Sequence, residues 1–181
     1  MKQIITFSLL FFTIVGLSQD KSKQLFKTDL KANVTINDTI NLDDFKEIAI
    51  IPGGHFRKEL EEINYFTKIM TEKEFKKEIK ESGLDPTKYN FDSKEGAEYI
   101  YKNYKKFIYV FQSVRNEDRS TRLIVISIPN GKAIFEVEGE EKTNYIGISA
   151  GTKYLPEKVN NAMLNELVDY IRRNSKTYDK H

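Results

Sequence analysis

The chain reads as an α+β domain, a mixed, largely antiparallel sheet with about three helices packed on it. Three observations predict this. A short apolar run ending at Ile51 is stopped by Pro52-Gly53-Gly54. Two segments in the middle carry helix-start spacing, and three strand-like runs then lead into a closing amphipathic stretch. Runs of strands and helices that do not alternate regularly point to layers of helix on a mixed sheet.

Taken in order, Gln19 to Lys31 is polar and predicts a flexible lead-in. Val34, Ile36, Ile40 and Leu42 recur at even spacing, the period of a half-buried strand or two short ones. Phe45 to Ile51 ends in a continuous apolar run, which predicts a core strand covered on both faces. Ile63 to Met70 predicts a weaker strand. Thr71 and Glu74 then stand in capping-box spacing, Phe75 and Ile79 lie one turn apart, and Gly83 is a terminator. Asp92 and Glu95 repeat the start signal ahead of Ala97, Ile100, Tyr101 and Tyr104.

Phe107 to Val114 and Thr121 to Ile128 are strands, separated by a charged loop over 115–120. Pro129-Asn130-Gly131 is the strongest turn signal, because Asn-Gly accepts the positive φ of a tight hairpin. Lys132 to Glu138 alternates, with Ala133, Phe135 and Val137 on one side. Tyr145 to Tyr154 has no clear period. The last helix starts near Pro156, buries Val159, Met163, Leu164, Leu167, Val168 and Ile171, and ends at Arg172-Arg173.

These elements, with an export leader, resemble the group of the curli-secretion lipoprotein, the penicillin-binding-protein activator and the TolB amino-terminal domain. The matching pieces are Lys46 to Pro52, Phe107 to Val114, and the hairpin from Ile126 to Phe135 with its Asn-Gly turn and following aromatic. The resemblance spans Asp43 to Asn174. It implies a domain without catalytic residues that docks onto envelope partners. The chain departs from the group in lacking a lipid-accepting cysteine.

The leader itself is the opening stretch. Met1-Lys2 precedes an apolar run from Ile4 to Val15, and Gly16-Leu17-Ser18 offers small residues for cleavage before Gln19-Asp20-Lys21. This predicts a secretory signal peptide over 1–18, a flexible segment over 19–31, one α+β domain over 32–176 and a frayed tail over 177–181. The run is too short for a spanning helix, so no stable membrane insertion is expected after cleavage. The expected address is the periplasm or the extracellular space. Ser-Gln at the end of the signal resembles leaders of the Bacteroidetes group.

Of 181 residues 31% are charged, both signs are mixed, and the formal charge is +2. No basic excess draws the chain to nucleic acid. The absence of cysteine removes disulfides, thiol nucleophiles and thiolate metal ligands, so packing must hold the fold.

Four patterns carry chemistry. Gly53-Gly54-His55 with Arg57 follows a strand end, where α/β proteins bind anions, and is the ligand-site candidate. Gly147 to Gly151 matches the G-x-S-x-G elbow around Ser149, with Asp169 and His181 later in the chain. His181 is the last residue, however, and the next helix starts only near Pro156. Glu117-Asp118 and Glu138 to Glu141 are acidic but lack the ligand alternation of a calcium loop, so no metal or other cofactor is expected. Tyr99 to Phe111 interleaves aromatics with Lys102, Lys105 and Lys106, a stripe that fits core burial better than base stacking. The expectation is a non-enzymatic exported bacterial envelope domain acting by contact with another protein. A periplasmic binder of a small ligand or glycan is the alternative, and a small serine hydrolase using Ser149 the third.

Overall fold

The computed structural model describes residues 24–115, 121–140, 143–146, 149–152 and 156–178. The expected signal peptide and the 116–120 part of the charged loop lie outside these residues. The strands are β1 (Asn33–Asn37), β2 (Ile48–Ile50), β3 (Lys68–Met70), β4 (Phe107–Arg115), β5 (Thr121–Ser127), β6 (Ala133–Glu140), β7 (Thr143–Ile146) and β8 (Ser149–Thr152). The helices are α1 (Arg57–Ile63), α2 (Glu72–Glu81), α3 (Lys94–Asn103) and α4 (Pro156–Asn174). Among the described residues four α-helices stand where the sequence predicts about three. The addition is α1, whose seven residues (Arg-Lys-Glu-Leu-Glu-Glu-Ile) bury only Leu60 and Ile63.

Six strands form one mixed sheet in the order β1-β6-β5-β4-β2-β3, and β7 and β8 form a separate hairpin. β4, β5 and β6 are an antiparallel meander, with β1 antiparallel on its outer edge. β2 runs parallel to both β3 and β4. The fold class is α+β, as the element order predicts.

The alternation of strand side chains divides the core in two. On one face Ala49, Ile51, Ile108, Val110, Ile124 and Ile126 pack with α1 and α4. On the other, Ile48, Ile50 and Phe107 pack with Phe75 and Ile79 of α2 and Ala97 and Ile100 of α3. β2 is buried at all three positions because helices cover both of its faces. This is the physical reason for the unbroken apolar run before Pro52.

The β5–β6 hairpin differs in detail from a two-residue turn. Gly131 has φ +83°, while Asn130 stays outside the positive-φ region. The Gly131 N–H donates to the Ile128 carbonyl at 2.9 Å, and the Ile128 N–H donates to the Lys132 carbonyl at 3.0 Å. Pro129-Asn130 therefore makes the turn and Gly131 completes a three-residue loop. Asn130 contributes through its side chain, whose Oδ1 accepts from the Lys132 N–H at 2.9 Å. One strand residue later the register slips. Ile126 faces Phe135 but Ser127 faces Ala133, so Ile134 is an extra residue. The bulge lets Ile134 and Phe135, neighbours in sequence, both enter the core.

Both ends of the described chain are tied down. Phe26 is buried, its N–H donates to Asn165 Oδ1 at 3.0 Å, and its carbonyl accepts from Asn165 Nδ2 at 2.8 Å. The polar reading of 19–31 overlooks this one aromatic anchor. At the other end Ser175 and Thr177 donate hydroxyls to Asp43 at 2.6 and 2.7 Å, and Tyr65 donates at 3.1 Å. Burial raises the Asp43 carboxyl, but these hydrogen bonds and the Lys176 N–H outweigh it and hold the group below the usual carboxylate range. Tyr178 adds a hydrogen bond to the Ile63 carbonyl at 3.0 Å. Thr177 and Tyr178 thus belong to the packed domain rather than to a frayed tail.

Candidate functional site

The ligand-site candidates read from the sequence lie where β2 and β3 end and α2 begins. Both strands point their carboxyl ends to this edge, since they are parallel. Pro52 ends β2, and Gly53 and Gly54 turn the chain with φ +76° and +72°. Thr71 starts α2 with the capping box its spacing predicts. The Glu74 N–H donates to Thr71 Oγ1 at 3.3 Å, and the Thr71 N–H donates to Glu74 Oε2 at 2.6 Å.

Arg57 is brought into this same corner, but it is already occupied. Its Nη2 donates to the Ile69 carbonyl at 2.7 Å and to Glu74 Oε2 at 3.0 Å, and its Nε lies 3.6 Å from Glu61. The hydrogen bond from the Thr71 backbone is the largest cause that lowers the Glu74 carboxyl, to about 2, with Arg57 second. Glu74 thus sits where an incoming anion would meet Arg57. The guanidinium also covers an outward carbonyl of β3, the sheet's edge strand. His55 is exposed, and Gly54 is half-buried against Thr71. Of the four sequence candidates, Gly53 is the one that lines the open groove beside α2.

That groove, about 980 Å³, is formed among the described residues by Gly53, Thr71, Lys73, Lys76, Lys77 and Lys80, with Glu72 and Glu74 at one end. The four lysines stand at i, i+3, i+4 and i+7, so they make one stripe on the face opposite Phe75 and Ile79. Sequence reading took 71–83 for its caps and core residues and missed the stripe. Projecting the same residues on a helix would have found it.

The carboxylates of α2 are distributed unevenly around it. Glu78 accepts from Lys105 at 2.8 Å and from Tyr104 at 3.1 Å, and it pairs with Lys68. The hydrogen bonds from Lys105 and then Lys68 hold its carboxyl down to about 2. Lys76 bridges Glu72 at 2.7 Å and Asp92 at 2.8 Å, tying α2 to the start of α3. Lys77 and Glu81 approach to 3.9 Å with both side chains largely exposed. Lys73 and Lys80 are exposed and have no described carboxylate within ion-pair distance.

The other patterns resolve differently. The cap of α3 is Ser93, not Asp92, and its hydroxyl accepts from the Gly96 N–H at 3.1 Å. Asp92 serves Lys76 instead. In the aromatic stretch, Phe107 is buried, Tyr101 and Tyr109 are partly buried against the same core, and Lys105 is held by Glu78. Ser149 stands on β8 paired with Ile146, and α4 starts at Pro156. A nucleophile elbow needs the serine on a strand-to-helix turn. Asp169 is bonded to Arg172 at 3.0 Å, and His181 lies outside the described residues. So do Glu117, Asp118 and Glu141. Among the described residues no three His, Asp or Glu side chains gather as a metal-binding group, and no helix is long and apolar enough to cross a membrane.

No family model matches the chain, and neither a curated protein nor a solved structure is found to be similar to it.

Proposed function

We propose that this is an exported bacterial envelope domain that works by contact with another protein and performs no catalysis. The observation that carries the reading is the groove on α2. It is open rather than enclosed, and it lies along a helix braced to β3, α1 and α3 by Glu74, Glu78 and Lys76. Small-ligand sites enclose most of their ligand, whereas an open trough on a fixed helix suits a segment of a larger partner. The apolar run Ile4–Val15 followed by Gly16-Leu17-Ser18 supports export. The resemblance of Lys46–Pro52, Phe107–Val114 and the Asn130-Gly131 hairpin to envelope-docking domains points the same way.

Two measurements test this. Amino-terminal sequencing of the protein from its host should begin at Gln19, and an intact Met1 on a cytosolic product would sink the export reading. Crosslinking in the intact envelope should yield one discrete heteromeric product. Persistent absence of any product, with a small molecule copurifying instead, would favour the ligand-binding alternative.

A further inference from the structure

We infer that the lysine stripe Lys73, Lys76, Lys77 and Lys80 is the docking surface, and that its occupant is an acidic segment of the protein partner. This rests on the contact reading above and adds the partner's chemistry. The stripe runs seven residues along α2, about 10 Å at 1.5 Å per residue. Three or four residues of extended chain span that length.

Charge complementarity selects the occupant. Glu74 and Glu78, which could neutralise the stripe, are turned onto Arg57, Lys68 and Lys105. Lys76 alone is firmly paired, by Glu72 and Asp92. Lys73, Lys77 and Lys80 keep their ammonium groups in solvent, and their stems line the groove. Fixed like charges on one helix face repel one another, and an acidic chain laid across them relieves that repulsion.

Two other polyanions fit less well. A membrane surface favours basic residues flanked by apolar anchors. Among the described residues the one exposed large apolar side chain is Leu25, which sits beside Tyr65 and Arg172 on the α4 side. Single-stranded nucleic acid is held by exposed stacking rings. The phenylalanines under and beside α2, Phe75 and Phe91, are buried against Phe107.

The probe is fluorescently labelled hexaglutamate, followed by anisotropy at low and at physiological salt. Binding should weaken with salt and drop roughly tenfold or more in Lys73→Gln/Lys77→Gln/Lys80→Gln. A control triple at exposed lysines elsewhere, Lys94→Gln/Lys102→Gln/Lys106→Gln, should bind like the parent. Absence of hexaglutamate binding, or equal loss in both triples, overturns the assignment. Tighter binding of phosphatidylglycerol vesicles or oligothymidylate than of hexaglutamate overturns it in favour of a membrane or a nucleic acid. The envelope crosslink separates the two proposals. If the stripe variant still gives the parent's product, the contact reading stands and this surface is wrong. If the parent gives none, the contact reading itself fails.

Discussion

The two faces of the sheet are sealed by different means. On one face the main cover is the 19-residue α4, with the short α1 beside it, over mainly aliphatic strands, and Phe135 and Tyr170 stack at 4.5 Å. On the opposite face two helices of ten residues cover an aromatic cluster, Phe75, Phe91 and Phe107, whose rings lie 5.1 to 6.1 Å apart. The long helix gains most from packing, with hydrogen bonds such as Gln112 to Asn160 at 2.8 Å and the Ile40 N–H to Asn174 at 2.9 Å added to it. Short helices gain less, and here they are stitched by Lys76 to Asp92 and by Glu78 to Lys68 and Lys105. The difference separates the charges that brace the short helices from the exposed Lys73, Lys77 and Lys80 on the same helix α2.

The comparison is broken hardest at two glycines, Gly96 of α3 against the loop before it and Gly139 of β6 against α4. A methyl at Gly96 would collide with the backbone of Asn90, which cannot rotate away. Gly96→Ala should therefore cost about 3 kcal/mol or more, read by chemical denaturation. On the α4 face a methyl at Gly139 would meet Val159 Cγ1 at 2.5 Å and Met163 Cγ at 3.1 Å. Those are side chains, and Met163 is flexible, so Gly139→Ala should cost about 1–2 kcal/mol. If Gly139→Ala is the more damaging, the approach of α4 to β6 is tighter than that of α3 to the Asn90 loop.

The next effect is at the turns, where sequence and structure agree in part. Gly131→Val should cost about 1–2 kcal/mol, because φ +83° strains a β-branched residue even with open space around it. Reading Gly54 as an ordinary loop residue would leave Gly54→Ala nearly neutral. Its φ of +72° and the Thr71 methyl 3.3 Å from a new Cβ predict instead a loss of about 1 kcal/mol. Denaturation curves for the two variants that differ by much more than this would place one turn wrongly.

What the sequence could show follows from what is local. The Thr71 cap, the Ile48–Ile51 strand, the Asn130-Gly131 hairpin and the α4 stripe are each set by residues within one or two turns of one another. α1 escaped because Arg57 to Glu62 is nearly all charged, and only Leu60 and Ile63 mark a buried side. The bulge at Ile134 escaped because strict alternation sends Ile134 and Phe135 to opposite faces. At the site, Gly53 was legible from the strand end. The engagement of Arg57 was not, since its partner Glu74 is 17 residues away on another element. The lysine stripe is present as a local pattern, but the engagement of Glu74 and Glu78 by Arg57, Lys68 and Lys105 depends on contacts between elements.

A smaller effect sharpens the stitching argument through pH. Glu78 titrates near 2 in the folded chain against an ordinary 4.5. A depressed carboxylate contributes stability that is fully present above about 4.5 and is lost as pH falls through the folded value. Parent stability should therefore decline between pH 4.5 and 2, and part of that decline should vanish in Glu78→Gln. At neutral pH Glu78→Gln should cost about 1 kcal/mol, since the group is partly solvated. An unchanged acid limb would mean that Glu78 does not hold α2 to β3 and α3. Glu74 has a folded value of about 2 as well, and Asp43 is also held below the usual carboxylate range, so both contribute to the same limb.

The smallest expected effect is the one that most directly separates holding from docking. Lys73, Lys77 and Lys80 are exposed, and of their side chains only Lys77 approaches a described carboxylate, at 3.9 Å. Lys73→Gln/Lys77→Gln/Lys80→Gln leaves Phe75, Ile79 and the Thr71–Glu74 cap untouched, and glutamine has nearly the helix propensity of lysine. Its denaturation midpoint should match the parent's within about 0.5 kcal/mol. Removing three like charges from one face could even raise it slightly, by relief of repulsion between i, i+3 and i+4 neighbours. Lys76→Gln should behave differently, because it cuts the bridge from Glu72 to Asp92 and loosens α3. A triple variant that melts well below Lys76→Gln would show that the stripe serves the fold, and its value as a free basic surface would be lost.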